Sequence, residues 1–108
     1  MKKERAVDWQ QLLQTLQLHV PAGRVTTYGR CSQWAFKHEG GGPAVARMLD
    51  AIARRGHQRL TNRVVQNDGG VADRPDGEYG QRDQLQAEDV PFDAGGRVDL
   101  RRCRPVEM

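Results

Sequence analysis

The chain has 108 residues, 37% of them hydrophobic and 29% charged, with a formal net charge of +3 at pH 7. This size and composition indicate one soluble globular domain, and they exclude both a two-domain enzyme built around a cleft and a wholly disordered chain. Fourteen of the 17 basic residues are arginine, which pairs bidentately with phosphate and stacks on bases as lysine does not. The composition therefore permits a polyanionic partner.

Apolar spacing and capping residues predict two helices at the start of the chain. Between Asp8 and Leu18 the apolar residues recur every three or four positions, which is typical of an amphipathic helix. The segment Pro21–Gly23 ends that helix. Thr26 and Thr27 are candidate N-caps of a second short helix, because their hydroxyls can accept hydrogen bonds from the free amides of its first turn.

A glycine-rich segment over residues 36–42 predicts a flexible connection to a third helix. Pro43 suits the first turn of that helix, and Gly56 is a plausible stop. The helix carries a stripe of apolar residues that we expect to be buried, so that Arg47 and Arg54 face away from the core. The stripe consists of Val45, Met48, Leu49 and Ile52.

The second half of the chain predicts shorter elements. Residues 59–67 indicate a short extended segment, and Asn67–Gly70 is a strong turn signal. A mostly polar helix is predicted over residues 78–89 and a small hairpin over residues 90–100. The fold class that follows is mainly α with a small β wing, a winged helix-turn-helix-like single domain over residues 1–108.

Positive charge is concentrated on the third helix and the segment after it. Between Ala44 and Val65 there are five arginines and a single aspartate. A helix-turn-helix protein places such a helix in a groove of DNA. The pattern by itself fits a solvated basic face equally well.

The remaining composition restricts location and cofactors. The charged start Met1–Arg5 leads into polar residues, unlike a secretory signal, and no apolar run reaches the ~18 residues of a membrane span. Cys31 and Cys103 lack the spacing of a metal site or a disulfide framework. We therefore expect a cytoplasmic protein with no metal, no cofactor and no membrane partner.

Five sequence blocks share the order found in one protein family. They are VPAGRVTTYG at 20–29, GPAVAR at 42–47, RVVQNDG at 63–69, LQAEDV at 85–90 and VDLRR at 98–102. Together they resemble the alkyltransferase-like proteins, which are relatives of the DNA-binding domain of 6-O-alkylguanine-DNA alkyltransferase. The resemblance extends over residues 13–104, nearly the whole chain.

The resemblance implies a minor-groove helix-turn-helix that flips an alkylated guanine out of the duplex. Tyr28 matches the tyrosine that presses on the phosphate beside the target nucleotide, and Arg47 matches the arginine that fills the space left in the base stack. Flipping costs roughly a few kcal/mol of stacking, part of which a planar guanidinium recovers. Thr27, Arg54 and Arg63 are further expected DNA contacts.

The reaction centre departs from the active enzymes that the chain resembles. Where they carry an acceptor cysteine followed by a histidine, this chain has Thr61 and Asn62. An alcohol is a far weaker acid than a thiol and needs an adjacent base, which an amide cannot be. Glu88, aligned with the relay glutamate of the enzymes, is then a structural hydrogen-bond partner. We expect no catalytic residue, Cys31 and Cys103 included.

Thr61, Asn62, Val64 and Arg74 are expected to line the pocket for the flipped base. The implied function is that of a monomeric, non-enzymatic protein that recognises alkylated guanine in double-stranded DNA and flags it for nucleotide excision repair proteins. Alkyltransferase-like proteins usually keep the histidine, so the change at Thr61 and Asn62 leaves alternatives open. One is a helix-turn-helix regulator or architectural protein without lesion recognition, and another is an active alkyltransferase with a different nucleophile.

Overall fold

The computed structural model of the protein describes residues 8–72 and 80–108. These residues form five helices and two short strands, so the predicted mainly helical class with a small β component is confirmed. In chain order the elements are α1 (Trp9–His19), β1 (Thr26–Thr27), α2 (Tyr28–Phe36), α3 (Gly42–Arg54), α4 (Gln58–Thr61), β2 (Val64–Val65) and α5 (Gln81–Ala87). No helix within the described ranges has the length and apolar character needed to cross a bilayer.

The first two helices begin at side chains that cap them. The Asp8 carboxylate accepts a hydrogen bond from the Gln11 backbone N–H, and the Gln11 side chain accepts one from the Asp8 N–H. This reciprocal capping box satisfies two of the free amides at the start of α1. The Thr27 hydroxyl accepts from the Arg30 N–H at the start of α2. Both helices thus begin where the sequence places them.

Helix α3 supplies the central packing surface of the helical half. Its apolar stripe packs against α1 and α2, while Arg47 and Arg54 are exposed on the other side. Val45, Leu49 and Ile52 are buried and Met48 is partly buried. The first core cluster also contains Leu12, Leu16, Val20, Cys31, Leu60 and Val64.

The connection between α2 and α3 is held by local hydrogen bonds, although its composition predicts a flexible segment. The Ser32 hydroxyl donates to the His38 carbonyl oxygen at 2.5 Å and accepts from the Gly41 N–H at 2.8 Å. A Cβ atom at Gly41 would lie 2.6 Å from the Phe36 ring. Glycine is therefore required where the connection turns over the end of α2.

The segment predicted as extended over residues 59–67 is wrong in its first part. It begins within the four-residue helix α4, whose hydrogen bonds run from Thr61 N–H to His57 and from Asn62 N–H to Gln58. This turn buries Leu60, and it is too short to show a periodic pattern in the sequence. Only the two residues of β2 are extended, and they pair in parallel with β1.

The second, smaller core lies under α5 and the C-terminal segment. Its buried members are Val25, Val65, Leu85, Val90, Val98 and Cys103. The predicted hairpin is reduced to a single antiparallel bridge between Phe92 and Val98. Gly69 has a φ of +88°, and a Cβ atom there would collide with the Val98 carbonyl oxygen. The turn after β2 can approach the tail this closely only with glycine.

A buried ion pair between Arg63 and Glu88 joins the two cores. The Arg63 Nη2 and Glu88 Oε2 atoms are 2.8 Å apart, and the side chains are only 15% and 7% exposed. The guanidinium also donates to the Val20 carbonyl oxygen. The carboxylate accepts from the Gly23 N–H and from the Gln84 amide. The pair therefore connects the end of α1, the approach to β1, the start of β2 and the end of α5.

Replacing Glu88 with glutamine should lower the free energy of unfolding by about 3 kcal/mol, because Arg63 then stays buried without its counter-charge. Asp50→Asn breaks an exposed ion pair with Arg54 and should cost less than about 0.5 kcal/mol. Urea unfolding at neutral pH measures both variants. Equal losses for the two would contradict the structural role of the buried pair.

The stability that Glu88 provides should also depend on pH. Burial raises the pKa of Glu88, but the hydrogen bonds from Arg63, Gly23 and Gln84 and the charge of Arg63 outweigh it and bring the pKa below the ordinary value of 4.5. The contribution is therefore complete above pH 4.5 and is lost as the pH falls through the folded pKa. In urea unfolding across that range, the wild type should lose more stability than Glu88→Gln, and parallel losses would contradict this.

Candidate nucleic-acid interface

An open cavity of about 820 Å³ lies between the start of α2, the outer face of α3 and the end of α4. This volume falls within the range of about 300–1,000 Å³ that is common for sites binding small organic groups. Five of the residues singled out in the sequence line it: Tyr28, Arg54, Thr61, Asn62 and Val64. The structure thus brings together residues that are up to 36 positions apart in the chain.

The start of α2 places Tyr28 at the edge of the cavity. β1 leads directly into α2, so Tyr28 is the first helical residue, half-buried against the first core. Thr27, which we expected to contact DNA, is 5% exposed and its hydroxyl caps the helix. The Asn67 amide oxygen accepts from the Gly29 N–H at 2.7 Å. Two side chains therefore bind the first free amides of α2 and fix the backbone on which Tyr28 is carried.

The arginines on and directly after α3 differ in whether their side chains are bound to other residues of the protein. Within the described part of the chain Arg47 forms no ion pair, and it directly follows a residue that lines the cavity. Arg54 pairs with Asp50 at 2.9 Å, and both side chains are more than half exposed. Arg55 lies 4.0 Å over the Trp9 ring and is thereby held against α1. Arg47 and Arg54 are consequently the cations of this helix that can reach a ligand.

The structure does not support the expected DNA contact of Arg63. Its Nε and Nη2 atoms donate to the Glu88 carboxylate and its Nη1 donates to the Val20 carbonyl oxygen, so the guanidinium is committed to the protein interior. Its charge is compensated by a partner 25 residues further along the chain. Arg74, predicted in the pocket, lies outside the described residues.

Backbone and side-chain hydrogen bonds fix the cavity wall at Thr61 and Asn62. The Thr61 hydroxyl donates to the Gln58 carbonyl oxygen at 3.0 Å. The Asn62 amide donates to the Gln84 side-chain oxygen at 2.9 Å. Gln84 in turn donates to Glu88, so the wall is linked to the buried ion pair. Both polar residues of the wall therefore have fixed orientations.

Gln81 also holds the cavity wall, and the sequence reasoning missed it. Its amide donates to the carbonyl oxygens of Asn62 and Val64, and its oxygen accepts from the Ala72 N–H at 2.7 Å. Gln81 is only 9% exposed although it begins a polar helix. A signal was present, because Gln81 lies four residues before Leu85 and therefore on its buried face.

Neither thiol of the chain is placed or activated for nucleophilic chemistry. Burial raises the pKa of the Cys31 thiol to about 12. Burial also raises the pKa of Cys103, against the opposing effects of the Arg24 charge and of a backbone hydrogen bond from Val25. No cysteine or histidine is among the described residues that line the cavity. Within the described ranges, no group of His, Cys, Asp and Glu side chains could hold a metal ion.

Comparison with known proteins gives matches over most of the chain. The "DNA base-flipping protein" of Escherichia coli K12 is 30% identical over 106 residues, which is 95% of this chain and 78% of the relative, and the protein of that name from Shigella flexneri matches to the same extent. No protein-family model matches the chain.

Two solved structures share the fold. S. pombe Atl1 in complex with damaged DNA containing O6-carboxymethylguanine has a TM-score of 0.66 and 20% identity. S. pombe ATL in complex with DNA has a TM-score of 0.67 and 21% identity. Each comparison covers 88% of this chain and 91% of the other.

The geometry at the start of α2 predicts a specific coupling between Gly29 and Asn67. A Cβ atom at Gly29 would lie 2.8 Å from the Asn67 amide oxygen, so Gly29→Ala displaces that side chain and breaks the hydrogen bond. The broken hydrogen bond should cost about 1 kcal/mol of unfolding free energy, and the higher helix propensity of alanine offsets part of this cost. Asn67→Ala removes the same bond, and the double variant should lose little more than either single variant.

Gly42→Ala is the matched control in thermal unfolding, because a Cβ atom at Gly42 meets nothing within 4 Å. It should not lower the free energy of unfolding by more than about 0.5 kcal/mol, because alanine has a higher helix propensity than glycine. Fully additive losses for the Gly29 and Asn67 variants would show that the two residues do not act through one contact.

Proposed function

The chain belongs to the alkyltransferase-like protein family, and from this we propose that it binds double-stranded DNA, flips an alkylated guanine and holds it without repairing it. The observation that carries the proposal is the cavity, which has Tyr28 at one edge and Thr61 and Asn62 in its wall. A volume of about 820 Å³ accommodates a purine with its substituent. The cavity opens beside the exposed face of α3, which is the face that would lie on DNA.

Arg47 would replace the flipped base in the stack. Extruding a base from a duplex costs roughly a few kcal/mol, and the cost is smallest for a damaged base. A guanidinium that stacks between the neighbouring bases and donates to the orphaned partner base offsets part of this cost. Arg47 is exposed and forms no ion pair with any residue that the structure describes, so it can enter the duplex without losing an internal contact.

Tyr28 and Arg54, which both line the cavity, would act on the DNA backbone. Tyr28 is the first residue of α2, whose start is fixed by hydrogen bonds to the Thr27 and Asn67 side chains. The backbone of Tyr28 would therefore stay in place while its side chain presses on a nucleotide. Arg54 would exchange its exposed partner Asp50 for a phosphate. An exposed ion pair of this kind contributes less than about 1 kcal/mol to stability, so breaking it costs little free energy.

The cavity supports recognition without alkyl transfer. The Thr61 hydroxyl donates its proton to a backbone carbonyl oxygen, and the adjacent Asn62 cannot act as a base. Covalent transfer needs an activated nucleophile, and the raised pKa of Cys31 and Cys103 disfavours their thiolates. We infer that the bound lesion is passed on by a cytoplasmic monomer, with no metal or cofactor, to nucleotide excision repair proteins.

Arg47→Ala should weaken the preference for a duplex containing O6-methylguanine over the same duplex with guanine. We expect the preference to fall about tenfold, the equivalent of about 1.4 kcal/mol, because the flipped state loses the group that fills the stack. Fluorescence anisotropy with both duplexes at two salt concentrations measures it. Arg55→Ala is the matched control, since Arg55 is held over Trp9 and should leave the preference unchanged.

Equal affinity of the wild type for the two duplexes at both salt concentrations would contradict lesion recognition. The alternative of a regulator without lesion recognition would then be favoured, and selection from a pool of random undamaged duplexes would test it.

Incubation with DNA containing O6-methylguanine should leave the mass of the intact protein unchanged. The expectation follows from the absence of a cysteine or histidine among the described residues that line the cavity. Mass spectrometry detects the gain of a single methyl group, and such a gain would overturn the non-enzymatic assignment.

A further inference from the structure

Four arginines form an exposed positive patch where the C-terminal segment meets the approach to β1. The patch consists of Arg24, Arg101, Arg102 and Arg104, all of them exposed. None of them forms an ion pair or a side-chain hydrogen bond with another described residue. The neighbouring carboxylate of Asp99 accepts hydrogen bonds from the backbone N–H groups of Arg101 and Arg102 and so shapes the turn. The four guanidinium groups are left unpaired within the described chain.

The patch is assembled by tertiary contacts and is not a loose basic tail. The Cys103 thiol donates to the Gly23 carbonyl oxygen at 3.6 Å, which places the backbone between Arg102 and Arg104 beside Arg24. Burial raises the pKa of the Cys103 thiol and the positive charge of Arg24 lowers it. This effect also indicates that Arg24 and Cys103 are close to each other.

The residues after the patch are fixed along β1. The Val106 N–H donates to the Val25 carbonyl oxygen at 2.7 Å, and the Thr26 hydroxyl donates to the Val106 carbonyl oxygen at 2.9 Å. At the end of the segment Glu107 pairs with Arg30 of α2 at 2.8 Å. The backbone that carries the arginines is therefore ordered before any ligand arrives, and the entropic cost of binding is confined to their side chains.

Arg24 lies close in the chain to Tyr28 at the edge of the candidate interface. Arg24 precedes Tyr28 by four residues, so their Cα atoms are at most ~14 Å apart even in a fully extended chain. Phosphates of one DNA strand follow each other at about 3.4 Å along the helix axis. A duplex bound at Tyr28 would therefore present phosphates a few nucleotides away at the distance of Arg24.

We propose that this patch binds backbone phosphates of the DNA that flanks the flipped nucleotide on one side. Its position along the DNA rests on the proposed function, since Tyr28 must mark the flipped nucleotide. Four unpaired guanidinium groups match phosphate geometry, and contacts to phosphate position a protein without reading sequence or damage. The patch therefore contributes affinity that is independent of the lesion and limits binding to DNA that extends past the lesion on that side.

The test compares the wild type with Arg101→Ala/Arg102→Ala/Arg104→Ala on a duplex of about 20 base pairs with a central O6-methylguanine. The slope of log affinity against log salt should become shallower by about 2–3, at about 0.9 for each lost phosphate contact. The preference for the lesion over guanine should stay within about twofold of the wild type, because the phosphate contacts do not involve the flipped base. The corresponding triple arginine-to-lysine variant should keep most of the slope, since it retains the charge.

Duplexes shortened on one side of the lesion locate the contact. The wild type should lose slope when one particular flank is removed and keep it when the other is removed. The triple alanine variant retains only Arg24 of the patch, so its loss with that flank should be at most about one third of that of the wild type. Circular dichroism checks that the variants are folded, as expected for exposed side chains. An unchanged slope for the folded alanine variant would overturn the proposal, as would equal responses of the wild type to both flanks. If the wild type showed no lesion preference, the proposed function would fail while the slopes still decided the role of the patch.

Discussion

The buried ion pair between Arg63 and Glu88 is the constraint on which the rest of the structure depends. Two charges are withdrawn from water here, and such burial is stable only when each charge keeps its partner and its hydrogen bonds. The Arg63 side chain meets this requirement through Glu88. Its backbone adds a second link, because the Arg63 carbonyl oxygen accepts a hydrogen bond from the Thr26 N–H. One residue thus fixes β1, which leads into Tyr28, and the start of β2, which follows the cavity wall.

The same interaction is consistent with the proposed binding without alkyl transfer. Glu88 is bound to Arg63 and Gln84, and Gln84 orients Asn62 in the wall. These contacts give Glu88 a structural role. The Thr61 hydroxyl itself donates to the Gln58 carbonyl oxygen.

Local patterns in the sequence predicted the helical frame, but not the contacts between distant segments. Thr61, Asn62 and Val64, which line the cavity, were indicated by the family resemblance and not by a local pattern. Capping residues and apolar spacing gave the starts of α1, α2 and α3, because both are determined within a few residues. Helix α4 was missed since four residues show no period. The internal contacts of Arg63 and the role of Gln81 were missed because each depends on partners 9 to 43 residues away. The predicted roles of Tyr28, Arg47 and Arg54 at DNA remain predictions.

The central claim is that an alkylated guanine leaves the base stack and enters the cavity. The most direct measurement places 2-aminopurine, whose fluorescence is quenched by stacking, beside O6-methylguanine in a duplex. Saturation with the protein should raise the fluorescence strongly, and Arg47→Ala should reduce the rise at equal saturation. Saturated binding with unchanged fluorescence, for the lesion as for guanine, would contradict the account, because the base would have remained in the duplex.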